Sequence, residues 1–365
     1  MAAEPSKASS PARSPDTYTT QPPQPREKEP GQLEKWQVDQ YFEKGYVLVP
    51  NVFTPEELEP IKECINGLVD DLANKLFAAG KIDDKCEKAG FYERLTLLEK
   101  QFPGTAVLLH KIGVLPTAFQ TLWTNERLLN IVEQFIGPNI AGHPVWNLRT
   151  KTPYNEQVTV PWHQDNGYLE ETCNGTLLAT AWIPLLDTNA NNGCMQVVSE
   201  GHKLGMTAKH TCCAGGTWYI DLSEEEMVKT LGVDLDKDVI TCEVPYGGVL
   251  FINNCVPHRS LENHSDKIRW SLDLRWQDPS KPNGFKMKEC VVMRKADDPN
   301  YVIDWSKFAN LNRTTLQEKE MGRVSIDEFD TTLYGPWMKR WEIVHHNKHT
   351  KAHEAHENSL SKLAD

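Results

Sequence analysis

The sequence lacks the features that mark several large classes of protein. None of its nine cysteines forms a Cys-x-x-Cys pair, so neither a zinc ribbon nor a disulfide framework is indicated, and a reducing compartment is expected. No stretch approaches the roughly 18–20 consecutive apolar residues that span a bilayer, and no secretory signal is recognisable. The ending Leu363-Ala364-Asp365 is not a peroxisomal address. We therefore expect a cytoplasmic protein.

Positive charge is also scarce. Lys and Arg total 39 against 51 for Asp and Glu, which gives a formal net charge of −12. Such a chain repels phosphate backbones and anionic lipid surfaces. A length of 365 residues, 39% of them hydrophobic, is enough to bury a sizeable core. The composition therefore predicts a globular protein, with neither nucleic acid nor a membrane as partner, and leaves the oligomeric state open.

The two ends of the chain differ in composition from the rest. Residues 1–32 contain seven prolines and a single aromatic residue, Tyr18, which predicts a disordered tail. Residues 33–345 are predicted to form one domain, with helical support over about 33–140, a barrel over about 143–295 and an extension over about 296–345. Residues 346–365 are polar and rich in histidine. Because no second ligand type accompanies these histidines, a solvated helix or frayed tail is favoured over a metal-binding tract.

The first half of the predicted domain is helical in pattern. A short helix starts near Leu33 and ends at Gly45, and a strand, Tyr46–Val49, follows it. Thr54, Pro55 and Glu57 resemble a capping box that opens a longer helix, although Pro60 argues against an unbroken one. Two more helices are predicted at Phe91–Phe102 and Glu126–Ile136.

From about residue 143 the pattern changes to short β-branched and aromatic segments separated by Gly, Asn and Pro. The predicted strands are His143–Thr150, Val158–Asp165, Leu177–Pro184, Cys194–Val198, Val239–Val244, Val249–Asn253 and Ile268–Trp276. Helices followed by many short strands predict a mainly β fold with flanking helices, a jelly-roll-type barrel.

A candidate metal site lies at the end of one predicted strand. In Trp162-His163-Gln164-Asp165, residues two apart on a strand project to the same face, so the imidazole and the carboxylate converge. A site made of two histidines and one carboxylate needs a third ligand, and His258 is the best candidate because it follows an apolar strand. His264-Ser265-Asp266 has the same spacing, but it lies in a polar segment typical of an exposed loop.

The strand Ile268–Trp276 carries a candidate anchor for a carboxylate. Arg269 and Ser271 share one face, and a guanidinium with a neighbouring hydroxyl suits the distal carboxylate of 2-oxoglutarate. The alternative is a strand of alternating charge, in which Arg269, Asp273 and Arg275 form surface ion pairs. The apolar neighbours Trp270 and Leu272 favour the anchor.

Taken together, these residues resemble a known family. The series is Trp162-His163-Gln164-Asp165, Thr180-Ala181-Trp182-Ile183-Pro184-Leu185, Asn192-Gly193-Cys194-Met195, Gly201-His202, Pro257-His258 and Arg269. In this order and approximate spacing it resembles the phytanoyl-CoA dioxygenase-like family, and the segment from Gly45 to Leu58 is similar to that family's N-terminal signature. The resemblance covers roughly residues 34 to 295.

The resemblance implies a double-stranded β-helix and a non-haem Fe(II)- and 2-oxoglutarate-dependent dioxygenase. The implied site consists of the iron ligands His163, Asp165 and His258, the 2-oxoglutarate anchor Arg269, and Trp182 and Ser271 near the co-substrate. O2 would be consumed, with ascorbate as a supporting reductant. Related halogenases carry a small residue in place of the carboxylate ligand. Asp165 therefore favours hydroxylation or another oxidation of a small organic substrate, with release of succinate and CO2.

Two other functions stay open at this point. The barrel could bind a different divalent metal, as in a cupin-like isomerase or hydrolase, or it could be a catalytically inactive scaffold. Arg269 argues against the first, because such an enzyme needs no anchor for 2-oxoglutarate, and the intact ligand set argues against the second. The sequence does not indicate the substrate, nor whether it is a CoA ester.

Overall fold

The computed structural model describes residues 13–309, 311–322, 325 and 327–354. The α-helices are α1 (Pro15–Thr19), α2 (Lys35–Lys44), α3 (Pro55–Ala78), α4 (Arg94–Gln101), α5 (Thr105–His110), α6 (Thr117–Trp123), α7 (Glu126–Ile136), α8 (Glu224–Glu226), α9 (Leu235–Asp238), α10 (Ser306–Ala309), α11 (Arg313–Glu320) and α12 (Trp337–Arg340). Within these ranges, none of the helices combines the length and the apolar character needed to cross a membrane.

The strands form two main antiparallel sheets. The strands are β1 (Tyr46–Val49), β2 (Ile140–Gly142), β3 (Asn147–Lys151), β4 (Ala179–Pro184), β5 (Met195–Val198), β6 (Thr211–Cys212), β7 (Ile220–Asp221), β8 (Val239–Cys242), β9 (Val249–Asn253), β10 (His258–Ser260), β11 (Arg269–Gln277) and β12 (Val291–Arg294). The larger sheet has the order β1-β9-β4-β11-β2-β12, with β3 also paired to β11. The smaller sheet has the order β10-β5-β8, and β6 pairs with β7.

The two main sheets face each other. Trp182, Leu250 and Ile252 of the larger sheet pack against Met195 and Val197 of the smaller one. Residues of opposite parity, such as Phe251, point outward, and the Phe251 ring lies 5.6 Å from that of Phe135 on α7. The larger sheet therefore has one face toward the smaller sheet and one covered by helices. This arrangement confirms the predicted jelly-roll barrel with flanking helices.

Several element boundaries follow from local chemistry. Gly45 ends α2 with a left-handed φ of 86°, as its position predicted. Thr54 and Glu57 form the predicted capping box at the start of α3. The prediction that Pro60 interrupts this helix is wrong. Because Pro60 lies near the N-terminus of α3, its missing N–H costs one hydrogen bond, to the carbonyl of Glu56, and burial of the apolar face outweighs that loss.

The predicted strand Val158–Asp165 is largely absent. Glu156–Val158 and Asp165–Tyr168 are short 3-10 helices, and His163 makes only an isolated bridge to His258. Residues 160–163 instead run along the edge strand β10, with backbone hydrogen bonds between Val160 and Ser260 and between His163 and His258. The segment nevertheless carries two of the candidate ligands.

The predicted disordered tail does not describe residues 13–32. Tyr18 on α1 is fully buried, and its hydroxyl donates to the carbonyl of Asn174 at 3.0 Å and accepts from Nδ2 of Asn166 at 3.0 Å. One aromatic side chain with matched polar partners therefore docks a segment that its composition would leave unfolded. Residues 1–12 of the predicted tail lie outside the described residues.

The histidine-rich C-terminal segment also packs on the barrel where it is described. Residues 348–354 are helical, and His349 is buried. Its ring lies 5.1 Å from that of Trp218, and its Nδ1 accepts from the backbone N–H of Leu333 at 2.9 Å. The prediction of a solvated helix or frayed tail is therefore wrong for these residues. Residues 355–365 lie outside the described ranges.

Replacing Tyr18 tests whether the N-terminal segment contributes to the fold. We expect Tyr18→Ala to lower the free energy of unfolding by about 3–5 kcal/mol, since it removes a buried ring. Tyr18→Phe should cost about 1–3 kcal/mol, since it leaves Asn166 without its partner. Urea denaturation measures both, with Thr19→Ala at the exposed neighbour as the control. Equal stability of Tyr18→Ala and the unchanged protein would show that the segment does not dock.

Candidate active site

His163 and His258 face each other across an isolated antiparallel bridge. The backbone N–H of His163 donates to the carbonyl of His258 at 3.0 Å, and the N–H of His258 donates to the carbonyl of His163 at 2.9 Å. This pairing places the two imidazole rings with their centroids 4.1 Å apart. Both residues are buried, and each exposes only 3% of its surface. The chain therefore brings together the two histidines that the sequence had singled out.

Both rings are held in the same orientation by backbone carbonyls. His163 Nδ1–H donates to the carbonyl of Pro161 at 2.9 Å, and His258 Nδ1–H donates to that of Val256 at 3.0 Å. Each Nε2 is therefore free to act as a ligand atom, which is how metal-binding histidines are usually oriented. Burial, reinforced by His163, lowers the pKa of His258 to about 3, so the ring stays neutral.

Asp165 completes a cluster of three candidate ligands. Its Oδ1 lies 3.5 Å from His163 Nε2 and 3.8 Å from His258 Nε2, and one ligand atom from each residue falls within 4.8 Å of the others. Arg275 Nε donates to Asp165 Oδ2 at 3.1 Å, and its Nη2 donates to Oδ1 at 3.4 Å. Burial alone would raise the pKa of Asp165, but Arg275 and the two histidines hold it well below its usual value. The carboxylate is thus charged and could hold a divalent metal.

The residue between the first two candidates anchors their loop. Gln164 is fully buried, and its Nε2 donates to the carbonyls of Met206 and Cys255 at 3.0 and 2.6 Å. Its backbone N–H donates to Nε2 of His210 at 3.0 Å, while His210 Nδ1–H donates to the carbonyl of Ala208. These contacts hold His163 and Asp165 without a regular strand. No short-range pattern in the sequence marks this contact between Gln164 and His210.

Strand β11 carries a row of polar side chains into the barrel. Arg269, Ser271, Asp273 and Arg275 share one face and are all buried. Arg269 Nη1 donates to Oγ of Ser271 at 2.6 Å, and its guanidinium lies 5.2 Å from the centre of the Trp182 ring. The structure therefore places Arg269 beside both Ser271 and Trp182, the two other residues predicted near the co-substrate.

The middle of this row is a buried ion pair. Arg149 Nε and Nη2 both lie 2.7 Å from Asp273 Oδ2. Burial would raise the pKa of Asp273, but Arg149 and Arg275 lower it below its usual value. The interpretation of Asp273 and Arg275 as partners in surface ion pairs is wrong, because all nine residues of β11 are buried. The two-residue period was visible in the sequence, but the sequence did not show that helices cover the outer face.

Two connected cavities meet at His163. The inner cavity, of about 20 Å³, is lined by His258, Trp182, Thr180 and Arg269 among others. The outer cavity, of about 140 Å³, reaches Asp165, Trp218, Lys288 and Arg313. Arg149 and Arg275 contribute to both. The candidate ligands therefore lie between a polar chamber inside the barrel and a larger chamber near its mouth.

The other tripeptide with the same spacing, His264-Ser265-Asp266, does not belong to this site. His264 is exposed, and its Nε2 is 3.4 Å from Glu262 at the surface. It lines neither cavity. Cys212 and Cys213 are buried and joined by a disulfide bond. Neither pair belongs to the cluster of His163, Asp165 and His258.

Comparison with known proteins identifies related sequences. The family model described as Phytanoyl-CoA dioxygenase (PhyH) matches residues 41–271. A Phytanoyl-CoA dioxygenase domain-containing protein 1 homolog of Dictyostelium discoideum is 21% identical over 67% of this chain and 91% of its own length. A probable alpha-ketoglutarate-dependent hypophosphite dioxygenase of Stutzerimonas stutzeri is 27% identical over 62% of this chain and 72% of its own.

Among solved structures, EctD from S. alaskensis with 2-oxoglutarate and 5-hydroxyectoine superposes with a TM-score of 0.51. The alignment covers 91% of this chain and 98% of EctD at 13% identity. At this identity the likeness concerns the fold, and it agrees with the jelly-roll barrel described above.

Substitution of Asp273 tests the charge balance inside the barrel. We expect Asp273→Asn to lower the free energy of unfolding by about 3–5 kcal/mol, since it leaves Arg149 buried without its counter-charge. Asp39→Asn, which removes an exposed ion pair with Lys35, should cost about 1 kcal/mol or less. Chemical denaturation of both variants measures the difference. If both variants lose an equally small amount of free energy of unfolding, the ion pair between Arg149 and Asp273 does not stabilise the fold.

Proposed function

The chain belongs to the phytanoyl-CoA dioxygenase family and is an Fe(II)- and 2-oxoglutarate-dependent oxygenase, and we propose that His163, Asp165 and His258 hold its iron. The observation that carries this assignment is the convergence of the three ligand atoms within 4.8 Å, with each histidine presenting Nε2. Two histidines and one carboxylate suit Fe(II) and leave positions open for further ligands. Some catalytic zinc sites also use two histidines and one carboxylate, so the choice of iron rests on the family match and on the 2-oxoglutarate-dependent relative as well as on the ligand set.

The site residues have separate tasks in this proposal. When bound, Fe(II) and 2-oxoglutarate supply the oxidation of a small organic substrate by O2, with release of succinate and CO2. The carbonyls of Pro161 and Val256 fix the two imidazoles, and Arg275 fixes the carboxylate of Asp165. The buried walls exclude water, so that oxidation is directed to the substrate. The intact carboxylate at Asp165 supports hydroxylation or a related oxidation.

Arg269 is the proposed anchor for the distal carboxylate of 2-oxoglutarate, with Ser271 and Trp182 beside it. Its Nε is buried without a hydrogen-bond partner, and so is Oγ1 of Thr180 in the same cavity. Burial lowers the pKa of Arg269 to about 10, so it remains a cation at neutral pH. Unsatisfied buried donors of this kind fit an anionic ligand. The inner cavity that these groups line has a volume of about 20 Å³ and shares His163 with the outer cavity.

The wider setting of the reaction follows from composition. A net charge of −12 supports a protein that works in the cytoplasm without nucleic acid or membrane partners. We assign the activity to one domain, residues 33–345. The residues that line the outer cavity include Arg313 and Trp337, which supports counting the C-terminal extension as part of that domain.

The iron assignment is tested by single substitutions. His163→Ala, Asp165→Ala and His258→Ala should each abolish iron-dependent conversion of 2-oxoglutarate to succinate, because two ligands do not hold Fe(II) in place. His264→Ala is the matched control, since its ring is exposed and distant from both cavities, and it should retain nearly full activity. Equal loss in the control would mean that the wrong histidine and carboxylate were chosen. Iron content after gel filtration gives an independent readout.

Arg269 is tested by comparing co-substrate affinity with iron binding. Arg269→Ala should raise the apparent KM for 2-oxoglutarate by about 100-fold or more, as expected when a charge-assisted hydrogen-bond pair worth about 3 kcal/mol is removed. Iron content should stay unchanged, because Arg269 contacts none of the three ligands. A variant that loses iron with an unchanged KM would place Arg269 in a structural role instead.

A further inference from the structure

The outer cavity carries two cations that form no ion pair with a described carboxylate. Four of its basic side chains are Arg149, Arg275, Lys288 and Arg313. Arg149 is paired with Asp273, and Arg275 with Asp165. Neither Lys288 nor Arg313 makes an ion pair with any residue that the structure describes. Burying uncompensated charge is costly, so a cavity that keeps two such cations favours an anionic ligand.

Arg313 is the first residue of α11. Its guanidinium is held in place, but the edge that carries Nη1 and Nη2 is free. Its Nε donates to the carbonyl of Ile112 at 3.3 Å, and its guanidinium lies 3.8 Å from the centre of the Trp146 ring. Nη1 and Nη2 have no hydrogen-bond partner among the described residues. An arginine fixed by stacking with two parallel N–H donors available is arranged for a bidentate carboxylate.

Lys288 supplies a second donor to the same cavity. Its Nζ lies 4.4 Å from the centre of the Phe285 ring and donates to Oε1 of Gln317 at 3.2 Å, which leaves further N–H groups free. Burial and the nearby Arg313 lower the pKa of Lys288 to about 8, while Glu320 opposes this shift without reaching ion-pair distance. A bound anion would relieve the repulsion between the two cations.

The remaining wall and the size of the cavity limit the ligand. Trp218, Leu333 and Trp337 contribute apolar surface to the cavity that also contains the two cations. A volume of about 140 Å³ is small beside the roughly 300–1,000 Å³ of typical ligand pockets. The cavity therefore suits a compact molecule with one apolar body and one anionic end, and it does not enclose a CoA moiety.

Both cations come from the part of the chain that lies beyond the family match. The match ends at residue 271, whereas Lys288 follows β11 and Arg313 begins α11. The three candidate ligands and Arg269 lie inside the match. The residues that would select the substrate are thus contributed by the part of the chain that follows residue 271.

We propose that the prime substrate is a small organic carboxylate, and that Arg313 and Lys288 bind its carboxylate in the outer cavity. The proposal rests on the proposed function only in assigning this ligand as the substrate, since the anion site itself needs no iron. The free Nη edge of Arg313 matches the two oxygens of a carboxylate. A phosphate ester would present a third oxygen and a second charge, for which Lys288 is the only further unpaired cation described in this cavity.

The test uses the Fe(II)- and 2-oxoglutarate-saturated protein without O2 and compares three matched probes by calorimetry. The probes are 3-phenylpropionate, its amide and phenyl phosphate. The acid should bind about tenfold or more tightly than the amide, because charge-assisted hydrogen bonds are roughly twice as strong as neutral ones. In Arg313→Gln and in Lys288→Gln the difference should shrink to about threefold or less. Affinity for 2-oxoglutarate should change by no more than about twofold, which separates this site from Arg269.

Arg127→Gln is the matched control, because Arg127 also packs on an aromatic ring, that of Phe53, but lines neither cavity. It should keep the full preference for the acid. Equal binding of acid and amide, a preference that survives both cavity variants, or no binding of any probe would overturn the proposal. Tighter binding of phenyl phosphate would replace the carboxylate with a phosphate ester. If the iron complex does not form, the proposed function fails, and the same comparison on metal-free protein tests the anion site alone.

Discussion

The need to neutralise charge inside a dry barrel governs the arrangement of this site. Strand β11 places Arg269, Asp273 and Arg275 on its inward face, where water cannot screen them. Asp273 balances Arg149, and Asp165 balances Arg275. Arg269 is left as a cation without a carboxylate partner, in the place where the family resemblance puts 2-oxoglutarate. The fixed ion pairs thus determine which positions are left for ligands, and one strand links the co-substrate end of the barrel to the metal end.

Much of the candidate site could be predicted because its residues recur at short, regular spacings. The tripeptide from His163 to Asp165 and the alternation along β11 are both local patterns, and the structure confirms that their side chains meet. The reason given for the first pattern was wrong, since Asp165 begins a 3-10 helix and not a strand position. What holds it is the buried side chain of Gln164, whose partners Met206 and Cys255 are distant in sequence. The spacing along the sequence identified the candidate residues, but it did not reveal the contacts that hold them in place.

The parts that could not be predicted depend on contacts between segments far apart in the chain. Tyr18 is one aromatic residue in a proline-rich segment, and only the pocket formed by Asn166 and Asn174 explains its burial. Likewise, Lys288 and Arg313 have no motif around them, and only the folded chain brings them together in the outer cavity. The composition of a segment indicates how buried its residues are on average. The positions of these individual residues depend instead on contacts that exist only in the folded chain.

The central claim is that the cluster of His163, Asp165 and His258 binds Fe(II) together with 2-oxoglutarate and supports oxidation. The most direct measurement is anaerobic titration of the Fe(II)-loaded protein with 2-oxoglutarate, followed by admission of O2 and assay of succinate. The account predicts a weak visible charge-transfer band that saturates at one equivalent of 2-oxoglutarate, and succinate formation once O2 enters. Absence of the band, with tight binding of a different divalent metal, would contradict it.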